Sequence, residues 1–332
     1  MKDTLHHISL KGFKAPSSGK TLDLPLSYQL FGRPLLEAPV VLVNHALTGN
    51  SDVAGKKGWW RTLIGKDRAI DTSRVTVLCF NIPGNGYNGF FIEDYEDFTP
   101  GDIAAAFIFG LEQLKIGQVE AIIGGSVGGA IGWEMLAQKP DLTKFFIPVA
   151  TDYKTSDWLH SQCLVQKFLL NTEHEPLEKA RIHAMLCYRT PESLNVRFNN
   201  EFDTDKGILK SHDWLNYHGR ALNERFSLKA YRLMNHLLMT INADIEKIRQ
   251  SKAEIHLIAV DTDLFFPAFE MKNALDLLRD TNRIFYHEIN SAHGHDAFLI
   301  ESRQITEILT PILTNYDRQR NKYIRPQGYC QF

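Results

Sequence analysis

The sequence is poor in cysteine: Cys79, Cys163, Cys187 and Cys330 are the four among 332 residues, and no two form a Cys-x-x-Cys pair. That scatter excludes a disulfide framework and a thiolate zinc site, and it suits a reducing compartment. Long apolar runs are missing as well. None approaches the roughly 20 residues needed to span a bilayer, and the start, Met1-Lys2-Asp3-Thr4-Leu5-His6-His7, has no apolar signal core. A cytoplasmic protein with no membrane partner is therefore expected. Charge of either sign is not in excess: the net value is −2, which leaves no basic field for nucleic acid. Internal repeats and low-complexity tracts are absent too. What is present in quantity is hydrophobic residues, 44% of the chain, ample for a sizeable core, and 332 residues suit one large α/β domain with an insertion, or two domains.

The most informative stretch is Ala121-Ile122-Ile123-Gly124-Gly125-Ser126-Val127-Gly128-Gly129-Ala130. An apolar run ends in a glycine cluster with one serine at its centre, and a helical pattern follows. This is the strand–turn–helix setting in which Gly-x-Ser-x-Gly forms a nucleophile elbow, a turn too tight for neighbouring side chains. A phosphate-cradling loop is the other reading of such glycines, but no Gly-Lys-Ser/Thr follows and the Gly-x-Gly-x-x-Gly spacing is missing. An ordinary strand–helix turn is the plain alternative. The decision falls to whether an acid and a histidine follow in order.

Around the elbow, strands and helices alternate. Two alternating stretches at 5–10 and 22–31 flank a Gly/Pro/Ser-rich piece and predict an antiparallel opening. Continuous apolar runs at 39–43, 75–80, 145–150, 255–260 and 284–289 predict strands of a mostly parallel sheet. Helical spacing marks 103–114, and a closing helix carries Ile305, Ile308, Leu309, Ile312 and Leu313 on one face. Between 151 and 248 the texture is polar, aromatic and helical, without a convincing strand. The expected organisation is a core of 1–150 and 249–332 interrupted by a helical insertion, 151–248, with helices on both faces of the sheet. The charged tail after Tyr316 is expected to wrap the surface.

Val260-Asp261-Thr262-Asp263 places two acids where a strand ends, and Ser291-Ala292-His293-Gly294-His295-Asp296 does the same with two histidines. Open α/β sheets build their sites at this edge. The chain order serine, acid, histidine is the one an α/β-hydrolase requires. A serine hydroxyl becomes nucleophilic when a histidine accepts its proton, and a carboxylate holds that histidine in the useful tautomer. Either acid could instead cap the next helix, and His-x-His with Asp296 could ligate a metal, although no further ligand cluster accompanies it. The oxyanion hole needs two backbone N–H groups. Val127, after the nucleophile, offers one. The loop His45-Ala46-Leu47-Thr48-Gly49 offers the other, with Leu47 the choice and Ala46 its neighbour in contention; a plain turn is the bland reading of that loop.

These blocks together resemble the homoserine O-acetyltransferase family of α/β-hydrolase-fold acyltransferases. Asn44-His45-Ala46-Leu47-Thr48-Gly49-Asn50 is similar to its oxyanion loop, and Gly58-Trp59-Trp60, Ile64-Gly65 and Ala69-Ile70-Asp71-Thr72 to its next block. The elbow matches, Asp263-Leu264-Phe265-Phe266-Pro267 resembles the acid loop, and Gly294-His295-Asp296-Ala297-Phe298-Leu299 the histidine block. The resemblance selects Asp263 over Asp261 and His295 over His293, and it runs from about residue 40 to 300. Within the insertion, Ala180-Arg181-Ile182-His183-Ala184-Met185-Leu186-Cys187-Tyr188-Arg189-Thr190 resembles the lid helix. It implies Arg181 on the substrate carboxylate, Tyr188 lining the pocket and Asp296 on the substrate amino group. Departures sit near the acyl and acceptor sites: Val127 stands where the family commonly has methionine, the segment after Asn81 is short, and so is the lid.

The resemblance implies transfer of an acetyl group from acetyl-CoA, a co-substrate rather than a bound cofactor, to L-homoserine, a step toward methionine. The mechanism would be ping-pong on Ser126, His295 and Asp263, and the family suggests a homodimer through the lid. A succinyl donor, a serine acceptor, an esterase or amidase on the same triad, and a non-catalytic binding protein are the alternatives.

Overall fold

The computed structural model describes residues 4–314; the tail after Tyr316, Cys330 and Met1–Asp3 lie outside them. Eight strands form one sheet: β1 (His6–Lys14), β2 (Thr21–Gly32), β3 (Val40–Asn44), β4 (Thr76–Phe80), β5 (Val119–Gly125), β6 (Thr143–Val149), β7 (Glu254–Val260) and β8 (Ile284–Ile289). Their order across the sheet is β1-β2-β4-β3-β5-β6-β7-β8. The opening pair β1/β2 is antiparallel, as is β2/β4, and every later pairing is parallel. Sequence pattern follows position. The central strands β3, β4 and β5 are buried at every residue, whereas the edge strands β1 and β8 alternate or half-expose their side chains.

The pleat sends successive residues of each central strand to opposite cores. Leu42, Leu78, Ile122, Phe146 and Leu257 join one core, against α1 (Pro100–Gln113) and α2 (Val127–Gln138). Val41, Val77, Ile123, Ile147 and Ile258 join the other, with Trp60, Leu63 and the carboxyl-terminal helix Ser302–Thr314. In that last helix Ile305, Leu309 and Ile312 are buried, while Ile308 and Leu313 are only partly covered.

Between β6 and β7 the chain leaves the sheet as a helical layer: α3 (Asp157–Leu169), α4 (Pro176–Tyr188), α5 (Pro191–Phe198), α6 (Lys210–Asn223) and α7 (Leu228–Met239). One difference from the sequence reading appears there. Phe202–Asp203 and Ile208–Leu209 pair as a two-residue antiparallel hairpin. Its turn is made locally: Asp203 Oδ1 accepts from the N–H groups of Asp205 and Lys206, and Gly207 takes φ +66°. Two residues per strand leave too short a pattern for alternation to register. After β7, α8 (Ala268–Leu278) crosses to β8. Among the described residues no helix is long and apolar enough to cross a membrane. Cys79 and Cys163 are buried, Cys187 is half-buried, and all three are free thiols.

Candidate active site

The elbow is built by steric necessity. Ser126 sits at φ 55°, ψ −130°, between the end of β5 and the first residue of α2. A side chain at Gly124 would place its Cβ 2.4 Å from the Gly128 carbonyl carbon, and one at Gly128 would lie 2.3 Å from the Asn44 carbonyl oxygen. Both distances are impossible, so the strand end, helix start and β3 exit loop touch only because these residues lack side chains. The strained serine conformation is held by the surrounding core, as functional strain commonly is.

Two other strand ends meet this serine. His295 Nε2 lies 3.0 Å from Ser126 Oγ, and His295 Nδ1 lies 2.7 Å from Asp263 Oδ2. The other carboxylate oxygen of Asp263 accepts from the N–H groups of Phe265 and Phe266, at 2.7 and 2.9 Å. The carboxylate is thereby fixed at both ends, which places the imidazole proton on Nδ1 and leaves Nε2 to accept from the serine. The side chains of Asp263 and His295 are 0% and 4% exposed. Phe265, Phe266, Phe298 and Tyr188 surround the imidazole, with ring centroids 5.0 to 5.7 Å away. Such a dry wall strengthens each charge–dipole contact inside it.

The alternatives lie elsewhere. Asp261 is exposed, and its carboxylate accepts from the Ser291 N–H at 3.0 Å, tying two strand-exit loops rather than capping a helix. His293 contacts Arg189 Nη1 through Nδ1 at 3.2 Å, away from the serine. Among the described residues no group of three or more His, Cys, Asp or Glu is placed to hold a metal. Val127 opens α2, where helix geometry leaves its N–H without an intrahelical acceptor. Leu47 is buried in the loop leaving β3, against which the elbow packs.

The helical layer is pinned to all three loops. Arg225 Nη1 donates to the Thr48 carbonyl at 2.9 Å. Trp158 Nε1 and Gln162 Nε2 both donate to the Leu264 carbonyl, at 2.6 and 3.0 Å. Thr190 Oγ1 donates to the Ala292 carbonyl, and Arg189 Nε to Asp296 Oδ2 at 2.8 Å. Tyr188 is buried against His295, and the Arg181 guanidinium lies over its ring, 5.6 Å from the centroid. Burial pushes the Tyr188 hydroxyl well above its ordinary pKa, so it stays a neutral donor. Among the described residues no carboxylate lies within ion-pair distance of Arg181. The Arg189–Asp296 pair is the feature that sequence reasoning missed. Its signal was the arginine directly after Tyr188.

A second carboxyl, Asp152, follows β6 and is 6% exposed. Burial, with Glu270 adding repulsion, pushes it up to about 7, against the pull of the Tyr153 N–H and Lys154. A folded-state value raised above the unfolded one gives stability that is complete below the ordinary aspartate value of 3.8 and lost as pH rises toward about 7. Asp152→Asn keeps an acceptor for Tyr153 and removes the buried charge. It is expected to stabilise the fold by about 4 kcal/mol at pH 8 and by only about 0.5 kcal/mol at pH 4, read as the shift in urea midpoint at the two pH values.

Comparison with known proteins places this fold. Residues 39–181 match the family model for the alpha/beta hydrolase fold. Relatives named homoserine O-acetyltransferase match at 25–29% identity. The one from Methanobrevibacter ruminantium is 27% identical and aligns over 90% of this chain and 71% of its own. Among solved structures, esterase E22 superposes with a TM-score of 0.83 at 17% identity, covering 93% of this chain and 99% of that one. Homoserine O-acetyltransferase from Bacillus anthracis gives 0.82 at 18% identity, covering 93% and 97%. The chain has the α/β-hydrolase fold, and its resemblance to the homoserine O-acetyltransferases extends over most of its length.

Proposed function

We propose that this α/β-hydrolase-fold enzyme, like the homoserine O-acetyltransferases it resembles, transfers an acyl group to the side-chain hydroxyl of homoserine, with acetyl-CoA as donor. The carrying observation is the Ser126–His295–Asp263 relay beside Tyr188, whose ring packs on His295 and lies under the guanidinium of Arg181, an arginine with no carboxylate partner among the described residues. A hydrolase needs only the relay and its oxyanion hole. An amino-acid acceptor also needs a cation for its carboxylate, and a guanidinium can make two parallel hydrogen bonds to one.

In this reading Ser126 gives its proton to His295 and attacks the thioester carbonyl. Asp263 stabilises the imidazolium, and the N–H groups of Val127 and Leu47 receive the oxyanion. Collapse of the tetrahedral intermediate expels the thiolate, protonated by His295, and leaves an acyl-serine. Homoserine then binds with its carboxylate on Arg181, its ammonium on Asp296 and its carbon chain against Tyr188. Asp296 already receives Arg189 on Oδ2, so a substrate ammonium would use the remaining oxygen. The hydroxyl loses its proton to His295 and attacks, and the ester leaves as Ser126 is restored. The product would feed methionine synthesis, and the enzyme would work in the cytoplasm.

The test is release of CoA from acetyl-CoA with and without L-homoserine, with L-serine and succinyl-CoA alongside. Strong stimulation by homoserine is expected. Slow release that no acceptor changes would transfer the assignment to a hydrolase. Arg181→Met is expected to raise the homoserine KM about 30-fold, the worth of a charge-assisted pair of about 2 kcal/mol. The KM for acetyl-CoA should move little; an equal rise in both would refute the carboxylate assignment.

A further inference from the structure

We infer that His45 is a positioning residue that aims the Leu47 N–H, and so sets the half of the oxyanion hole that comes from the β3 loop. The inference rests on the acyl-transfer reading for its catalytic meaning and on the loop's own hydrogen bonds for its geometry. His45 is wholly buried. The Ile82 N–H donates to its Nε2 at 3.0 Å, so Nε2 is bare and the proton resides on Nδ1. Nδ1 lies 2.8 Å from the carbonyl oxygen of Ala46 and donates to it. The Gly49 N–H donates to the same oxygen at 2.9 Å.

The Ala46 carbonyl and the Leu47 N–H belong to one peptide group. That group is planar and trans, so its C=O and N–H point in opposite directions. Two donors pinning the oxygen therefore direct the Leu47 N–H away from them, without touching it. The ring is itself anchored. Asn85 Nδ2 lies 3.3 Å from Nε2, and Asn81 binds the Ser51 N–H at 2.8 Å and the Ser27 hydroxyl at 2.9 Å. Side chains from β2, from the β3 exit and from the β4 exit thus form one buried lattice around the loop. On the other side, Asn44 Nδ2 donates to the Gly128 carbonyl at 3.1 Å and joins the same loop to the start of α2. Burial pushes the imidazole down to about 4, so the tautomer that does the aiming persists throughout the neutral range.

The two amide isosteres separate this role from simple packing. His45→Asn puts an amide N–H near the Nδ1 position and keeps the donor to Ala46. His45→Gln puts an amide oxygen near the Nε2 position, keeping the acceptor for Ile82 and losing that donor. With p-nitrophenyl acetate, whose kcat/KM reports acylation whatever the acceptor, the Gln variant is expected to lose about 100-fold in kcat/KM. That is the lower range for loss of one oxyanion donor. The Asn variant is expected to stay within about fivefold. In protein labelled with [15N]leucine, the Leu47 amide should shift and exchange faster in the Gln variant and remain near wild type in the Asn variant. Full kcat/KM in His45→Gln, equal losses in both variants, or an unmoved Leu47 amide in the Gln variant would overturn the assignment. A wild-type enzyme that forms no acyl-serine would count against the acyl-transfer reading alone, since the amide measurement decides the role of His45 independently.

Discussion

Ser126→Ala is expected to lower kcat by about 10⁶-fold and to abolish the acyl adduct on the intact protein. Without Oγ there is no atom to carry the acyl group between thioester and alcohol, so the ping-pong route closes altogether. Residual turnover can come only from the oxyanion hole and from binding, worth about 10³–10⁴ over water. The fold should be indifferent to the change. The Ser126 side chain makes no capping bond to α2, and its contact is with His295 at 3.0 Å. Alanine meets the same backbone strain at φ 55°, so stability should stay within about 0.5 kcal/mol of wild type. Turnover of acetyl-CoA and homoserine near the wild-type rate in this variant would end the covalent mechanism. An acyl adduct surviving on another residue would do the same.

Asp263→Asn carries the next largest effect, a loss of about 10⁴-fold in kcat near neutral pH. The mechanism of the loss can be read from the two ends of the carboxylate. Oδ1 accepts from Phe265 and Phe266, and an asparagine oxygen would keep both bonds. The amide nitrogen then faces His295 Nδ1, where Oδ2 stood at 2.7 Å. Two donors cannot share that contact, so the imidazole must place its proton on Nε2 and confront the serine with a donor instead of an acceptor. Asp261→Asn is the control. That residue is exposed, two positions away, and occupied with Ser291, so its loss should change kcat less than twofold. Comparable losses at the two positions would show that the acid loop matters for its shape and that the Asp263 charge does not.

The helical layer gives these local roles a common frame. Arg225, Trp158, Gln162, Thr190 and Arg189 each hold a loop that also carries an element of the relay or of its oxyanion partner. Substitutions in the layer should therefore be felt at the serine through loop position. Arg181 differs, because its guanidinium is matched by no acid among the described residues.

By itself the sequence determined the features that rest on short-range sterics and on periodicity. The elbow is written in Gly124 and Gly128 because a tight turn excludes side chains locally at Gly124, whereas the β3 exit loop that Gly128 must admit is seen only in the fold. The central strands are written in unbroken apolar runs, because a strand covered on both faces has no polar side to show. The order serine, acid, histidine at three strand ends followed from these two signals. Tertiary structure alone decided which members of the paired candidates meet. Asp261 and Asp263 stand two residues apart, as do His293 and His295, and residue type does not tell them apart; resemblance to known blocks favoured one of each, and packing displays the reason. Asp263 turns inward because two downstream N–H groups bind it, and His295 because four aromatic rings enclose it. Arg189 against Asp296 and His45 against Ile82 are likewise contacts across 107 and 37 positions. Nothing in local spacing encodes such pairs, since they exist only once the sheet has brought its strand ends to one edge.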